Sequence, residues 1–91
     1  MSSTTHVRVG SVFITPAAME RLSDDDVLAA LSRHARCDWG ELCAEDKAAN
    51  DAALRHGARL LSAYRSAAGV KFWIITEWDR SSTTVLLPDE Y

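Results

Sequence analysis

Arg59-Leu60-Leu61-Ser62-Ala63-Tyr64, Val70-Lys71-Phe72-Trp73-Ile74-Ile75-Thr76-Glu77 and Ser82-Thr83-Thr84-Val85-Leu86-Leu87-Pro88 are three apolar runs rich in strand-forming residues, and turn residues separate them. Ser66-Ala67-Ala68-Gly69 joins the first two and Asp79-Arg80-Ser81 joins the second to the third, so the stretch predicts three short strands in sequence. Alternation divides the middle strand into Phe72, Ile74, Thr76 and Trp78 on one face and Trp73, Ile75 and Glu77 on the other. Both faces carry apolar bulk, so one belongs under helices and the other is partly covered or used for contact. In the first run, Arg59, Leu61 and Ala63 face opposite to Leu60, Ser62 and Tyr64.

Upstream, Val7, Val9, Val12, Phe13 and Ile14 predict a further strand, bent near Gly10. Thr15-Pro16 then supplies a capping hydroxyl and a proline at the first helical position, starting a brief helical turn from Ala17 to Leu22. Ser23 starts a second helix, with Asp24, Asp25 and Asp26 at its electropositive end and Arg33, His34 and Arg36 at its electronegative end. Val27, Leu28 and Leu31 are its expected apolar face. A third helix runs from about Cys43 to His56, with Leu42, Ala49, Ala53 and Leu54 available to cover the sheet, and Gly57 as a left-handed stop. The order β-α-α-β-β-β predicts an α+β fold: two layers, with a mostly antiparallel sheet of about four strands and helices on one face.

The chain has 91 residues, which bounds it to one domain, residues 1–91, with 1–6 expected to be flexible. It is 47% hydrophobic and 25% charged, which is the composition of a folded globule rather than a disordered chain. Ten basic residues against thirteen acidic ones give a net charge of −3, which disfavours a nucleic-acid interface and suits docking onto a basic protein surface. A core this small leaves a thin stability margin, so a homodimer is open. No export signal or membrane-length apolar run is seen, so the expected compartment is the cytoplasm, with Cys37 and Cys43 as reduced thiols and Cys43 half-buried.

The side chains that could carry chemistry gather around the second turn. Arg59 or Arg80 could hold an anionic group while Tyr64, His34 or Glu77 moves protons, with Ser62, Thr76, Thr83 and Thr84 as hydrogen-bonding neighbours. A plain structural reading competes with this one. Asp79-Arg80-Ser81 is then a hydrogen-bonded turn, the threonines are strand formers, and His34 and His56 are cations at helix ends. His34-x2-Cys37-x5-Cys43 lacks the paired short spacing of a structural zinc site, so no metal or cofactor is expected. Among the three tryptophans, Trp39 lies in a turn, and Trp78 beside Arg80 has the makings of an interface anchor.

Asp38-Trp39-Gly40-Glu41-Leu42, Gly57-x-Arg59-Leu60-Leu61-Ser62-Ala63-Tyr64 and Ile75-Thr76-Glu77-x-Asp79-Arg80-Ser81-x-Thr83-Thr84-x-Leu86-Leu87-Pro88-x-Glu90-Tyr91 resemble a family of small "plasmid-related" proteins. These are carried on bacterial plasmids, integrative elements and phages, and some bear a type I restriction-subunit label. The resemblance covers about residues 34 to 91. Cys37 stands where glycine is usual, and Trp78 where a small residue is usual. The resemblance implies a mobile-element habitat and no established activity; small acidic proteins of such elements often antagonise host defence, and by that association the expected role is an inhibitor that binds a host CRISPR or restriction complex. On this reading the chain is a non-enzymatic interaction protein that binds through Trp39, Arg59, Tyr64, Thr76, Glu77, Trp78, Asp79, Arg80 and Thr84. The alternative is a small ribonuclease-like enzyme or toxin using His34, Arg59, Tyr64 and Thr83, which requires those four to converge in one concave pocket.

Overall fold

The computed structural model describes residues 7–91, so the expected flexibility of residues 1–6 lies outside the described residues. The Thr15-Pro16 signal acts as read. Thr15 Oγ1 accepts from the Ala18 amide at 3.2 Å and starts α1 (Pro16–Arg21). Helix α2 (Asp24–Ala35) opens with a reciprocal box in which Ser23 Oγ accepts from the Asp26 amide and Asp26 Oδ2 accepts from the Ser23 amide. Asp26 Oδ1 also takes the Ala67 amide at 3.1 Å, tying the start of α2 to the turn after the second strand. Those bonds hold the Asp26 carboxyl below the usual carboxylate range, the Ala67 contact contributing most. Helix α3 (Ala44–His56) stops at Gly57, whose φ of 69° lets its amide and that of Ala58 fold back onto the Ala53 carbonyl.

Four strands, β1 (Ser11–Ile14), β2 (Leu60–Arg65), β3 (Lys71–Thr76) and β4 (Ser82–Leu86), form one sheet in the order β1-β4-β3-β2. The β2–β3 and β3–β4 pairs are antiparallel and β1–β4 is parallel, which makes a mixed sheet in an α+β fold. The register puts Leu60 opposite Thr76, Tyr64 opposite Phe72, and Thr76 opposite Thr83. A 3₁₀ turn, Pro88–Glu90, ends the chain, clamped by Glu90 Oε1 on the Thr15 hydroxyl and the Leu87 amide. No helix among the described residues is long and apolar enough to cross a membrane.

One face of the sheet is covered. Tyr64, Phe72, Ile74 and Val85 pack there against Ala18, Leu22, Val27 and Ala30 of the helical layer. Each fully buried aliphatic or aromatic side chain contributes about 1.5–3 kcal/mol by leaving water. Two expectations about the helices are corrected. The buried stripe of α2 is Val27, Ala30 and His34, while Leu28 is 65% exposed, because positions 27, 30 and 34 share a face that 28 leaves. Helix α3 flanks the free edge of β2 rather than lying over the sheet: Asn50 donates from Nδ2 to the Leu61 carbonyl and accepts the Leu61 amide on Oδ1. That pairing buries Asn50 and leaves Ala49 exposed.

The rest of the β2 edge is closed by the segment after α2. Glu41 donates its amide to the Ala63 carbonyl and Ala63 donates to the Trp39 carbonyl. Gly40 sits between them at φ 73°, and a Cβ there would stand 2.0 Å from the Ala63 oxygen, so only glycine fits. Cys37, the first residue beyond the cap of α2, has φ 66°, a left-handed position that favours glycine. Cys43 is exposed, not half-buried as expected, because it sits at the N-cap of α3 outside the core.

Candidate functional site

Four of the residues singled out from the sequence meet inside the covered face. His34 projects from α2 onto the sheet and has no exposed surface. Its Nδ1 lies 2.6 Å from Ser62 Oγ and its Nε2 lies 2.8 Å from Thr76 Oγ1. Thr76 Oγ1 is 2.8 Å from Thr83 Oγ1, and Thr83 donates to the Val9 carbonyl at 2.7 Å. The last bond sets the direction of the whole row. A carbonyl only accepts, so the single Thr83 proton is committed to Val9. Thr76 must then donate to Thr83, and His34 must donate from Nε2 to Thr76. Nδ1 is left as an acceptor for the Ser62 hydroxyl. The row therefore holds a neutral imidazole in one tautomer, and no described buried side-chain polar atom lacks a partner. Burial, reinforced by the nearby Arg80 charge, pushes the His34 pKa down to about 4.

The histidine expected to be a helix-end cation is thus a neutral core residue. Its position on the 27-30-34 stripe of α2 was the available signal, together with hydroxyls at inward strand positions 62, 76 and 83. Tyr64 and Trp39 are buried too. Tyr64 Oη donates to the Asp38 carbonyl at 2.6 Å, and burial, with Asp38 nearby, raises its pKa to about 12. The Arg33 guanidinium lies 4.8 Å from the Tyr64 ring centroid and pairs with Asp38 at 2.7 Å. That pairing holds the Asp38 carboxyl below its ordinary range. Trp39 packs edge-on to His34 and donates from Nε1 to Asp51 Oδ1.

Arg80 has a structural employment. Its guanidinium donates to the carbonyls of Ala58, Glu77, Trp78 and Ala53, which joins the β3–β4 turn to the electronegative end of α3. Asp79 accepts the Ser81 amide and hydroxyl, which holds its carboxyl below the usual range. Trp78, at the tip of the same turn, is 65% exposed.

Arg59 lies on the other face of the sheet, away from His34. There it pairs with Glu77 at 3.3 Å and donates to the Tyr91 hydroxyl at 3.0 Å. The Tyr91 ring meets Trp73 edge-on at 5.6 Å. Thr84 continues this face, with exposed Phe13 opposite it on β1 and buried Ile75 opposite it on β3. Beside Trp73 a cleft of about 480 Å³ separates the sheet from the N-terminal half of α3, with Leu42, Leu61, Ala63 and Ala49 in its walls and Glu41, Asp46 and Lys71 at its polar positions. Phe13, Trp73 and Tyr91 were not among the sequence candidates. Alternation alone could not say which apolar face the helices would leave open.

The four residues required by the enzymatic alternative do not converge. His34, Tyr64 and Thr83 are enclosed in the covered layer and Arg59 is on the opposite face. Among the described residues no cluster of three or more His, Cys, Asp or Glu side chains has the spacing to hold a metal ion. Comparison of the chain with family models, curated proteins and solved structures returns no match.

Proposed function

We propose that this chain is a non-catalytic protein-binding module whose contact surface is the open sheet face around Trp73. One observation carries the reading. His34, Ser62, Thr76 and Thr83 are sealed in a satisfied internal row, while an aromatic pair, an ion pair and a cleft occupy the accessible face. Trp73, Tyr91 and Arg59 are the residue types that dominate binding energy when a partner desolvates them. Trp78 and Asp79 extend the surface along the β3–β4 turn. The chain's net charge of −3 favours a partner with a basic surface. The resemblance to mobile-element proteins supports a specific version: the partner is a nucleic-acid-handling component of a host CRISPR or restriction complex, and binding inhibits it.

The test is to express the chain in cells carrying one such defence system and challenge them with a sensitive phage or plasmid. Wild-type protein should restore plaquing or transformation and should co-purify with a defence component. Trp73→Ala combined with Arg59→Ala should weaken that association at least tenfold, about 1.4 kcal/mol or more, while the far-ultraviolet spectrum stays native. A chain that leaves every tested defence system active and binds none of their components would sink the reading.

A further inference from the structure

The two edges of the sheet are treated differently. The β2 edge is closed by main-chain bonds from Trp39 and Glu41 and by the Asn50 side chain. The β1 edge is the other end of the strand order, and no described strand lies beyond it. The amides of Ser11 and Thr15 both donate inward, to Ser81 and Val85. In a parallel pair, residues whose groups point at the neighbour alternate with residues whose groups point away. Phe13 therefore also faces β4, and the N–H and C=O groups of Val12 and Ile14 point outward. Val12 is 42% and Phe13 55% exposed. An unpaired apolar edge of this kind is a template for another strand.

Charge points to the occupant. From Val9 to Met19 there is no Asp, Glu, Lys or Arg, in a chain that is 25% charged. An isologous two-fold contact sets a surface against itself, so any charge at its centre meets its own like. A neutral edge suits a second copy better than it suits a partner chosen by charge.

We infer that the chain forms a two-fold dimer in which β1 pairs antiparallel with β1 of a second copy, Val12 opposite Ile14, joining two four-stranded sheets into one. In that register the outward groups of Val12 in each copy exchange hydrogen bonds with those of Ile14 in the other. The two Phe13 residues become directly opposed at the centre, in the close-spaced, non-hydrogen-bonded type of pair, on the open face of the joined sheet. This dimer uses the β1 edge and leaves the Trp73 cleft free, so it stands or falls separately from the binding function.

The experiment is sedimentation equilibrium of wild type, Val12→Pro and Phe13→Lys across a wide concentration range, with circular dichroism to verify folding. Proline at position 12 removes only an outward N–H, the one position type within a sheet where it is tolerated. Phe13→Lys sets two like charges against each other and leaves the main chain intact, so it decides the matter if the proline variant fails to fold. The expected result is a wild-type dimer and folded variants whose dimer dissociation constant is at least tenfold higher. Amide exchange should show concentration-dependent protection at Val12 and Ile14, with Phe13 protected at every concentration. A wild type that stays monomeric, or a folded Phe13→Lys variant that dimerises like wild type, overturns the inference.

Discussion

The covered face of the sheet joins aliphatic bulk to a row of hydroxyls around an imidazole, whereas the open face presents aromatic rings, an ion pair and a cleft. The residue types usually taken as reactive are the ones fixed and hidden, and the residue types usually taken as core are the ones within reach of a partner. Burial, more than chemical type, thus decides which side chains are free to act. A hydroxyl or imidazole enclosed with every proton committed contributes order to the core. A half-buried Trp beside a cleft can still lose water to a partner.

The contrast can be broken most sharply at its centre. His34→Ala should cost about 4 kcal/mol in chemical denaturation, because it leaves a cavity and strips partners from Ser62 and Thr76 together. A loss under about 1 kcal/mol would mean that the row is dispensable. Acid should act next. His34 titrates at 6.5 when unfolded and at about 4 when folded, so between those values the unfolded chain binds a proton that the folded chain does not. Stability is therefore complete above about 6.5 and falls as pH drops towards about 4, by on the order of 3 kcal/mol. Asp26, Asp38 and Asp79 have lowered carboxyl pKa values, so the stability they contribute is present above the ordinary carboxylate range, begins to be lost as pH falls through that range and is gone only below it. A denaturation series from pH 7 to pH 4 checks the window, and a flat profile would contradict a buried neutral histidine.

Thr76→Val keeps the shape but removes the donor to Thr83 and the acceptor for His34 Nε2, and should cost about 2 kcal/mol by thermal or chemical melting. At the small end, Arg59→Ala on the open face removes an exposed ion pair and should change stability by no more than about 0.5 kcal/mol. If Arg59→Ala proved as damaging as Thr76→Val, the division of labour between the two faces would be mistaken.

The elements were legible where local chemistry decides them: Thr15-Pro16 and Ser23 as helix starts, Gly57 as a stop, and three strand runs between short turns. Strand order was not, since alternation along β1 carries no information about whether it pairs with β2 or β4, or in which direction. Which apolar face lay under the helices was equally hidden, because Phe72 and Ile74 read like Trp73 and Ile75 until the helices are placed. Asn50 and Arg80 were opaque for another reason. Each acts on main-chain groups of a distant segment, Leu61 for the first and Ala53 and Ala58 for the second, and main-chain groups have no sequence signature.

The parallel pairing of β1 with β4 also has a consequence in time. Ser11 pairs with Ser82 and Ile14 with Val85, so β1, made before the other described strands, lacks its sheet neighbour until β4 has emerged. Hairpins β2–β3 and β3–β4 close over short loops, whereas the β1–β4 contact spans most of the chain and carries the larger loop-closure entropy. The Thr83–Val9 bond, between residues 74 apart, and the Thr15–Glu90 bond, between residues 75 apart, are side-chain links that accompany this closure. Assembly of the sheet therefore waits for β4, and a nascent chain stalled before residue 82 holds β1 without its β4 partner.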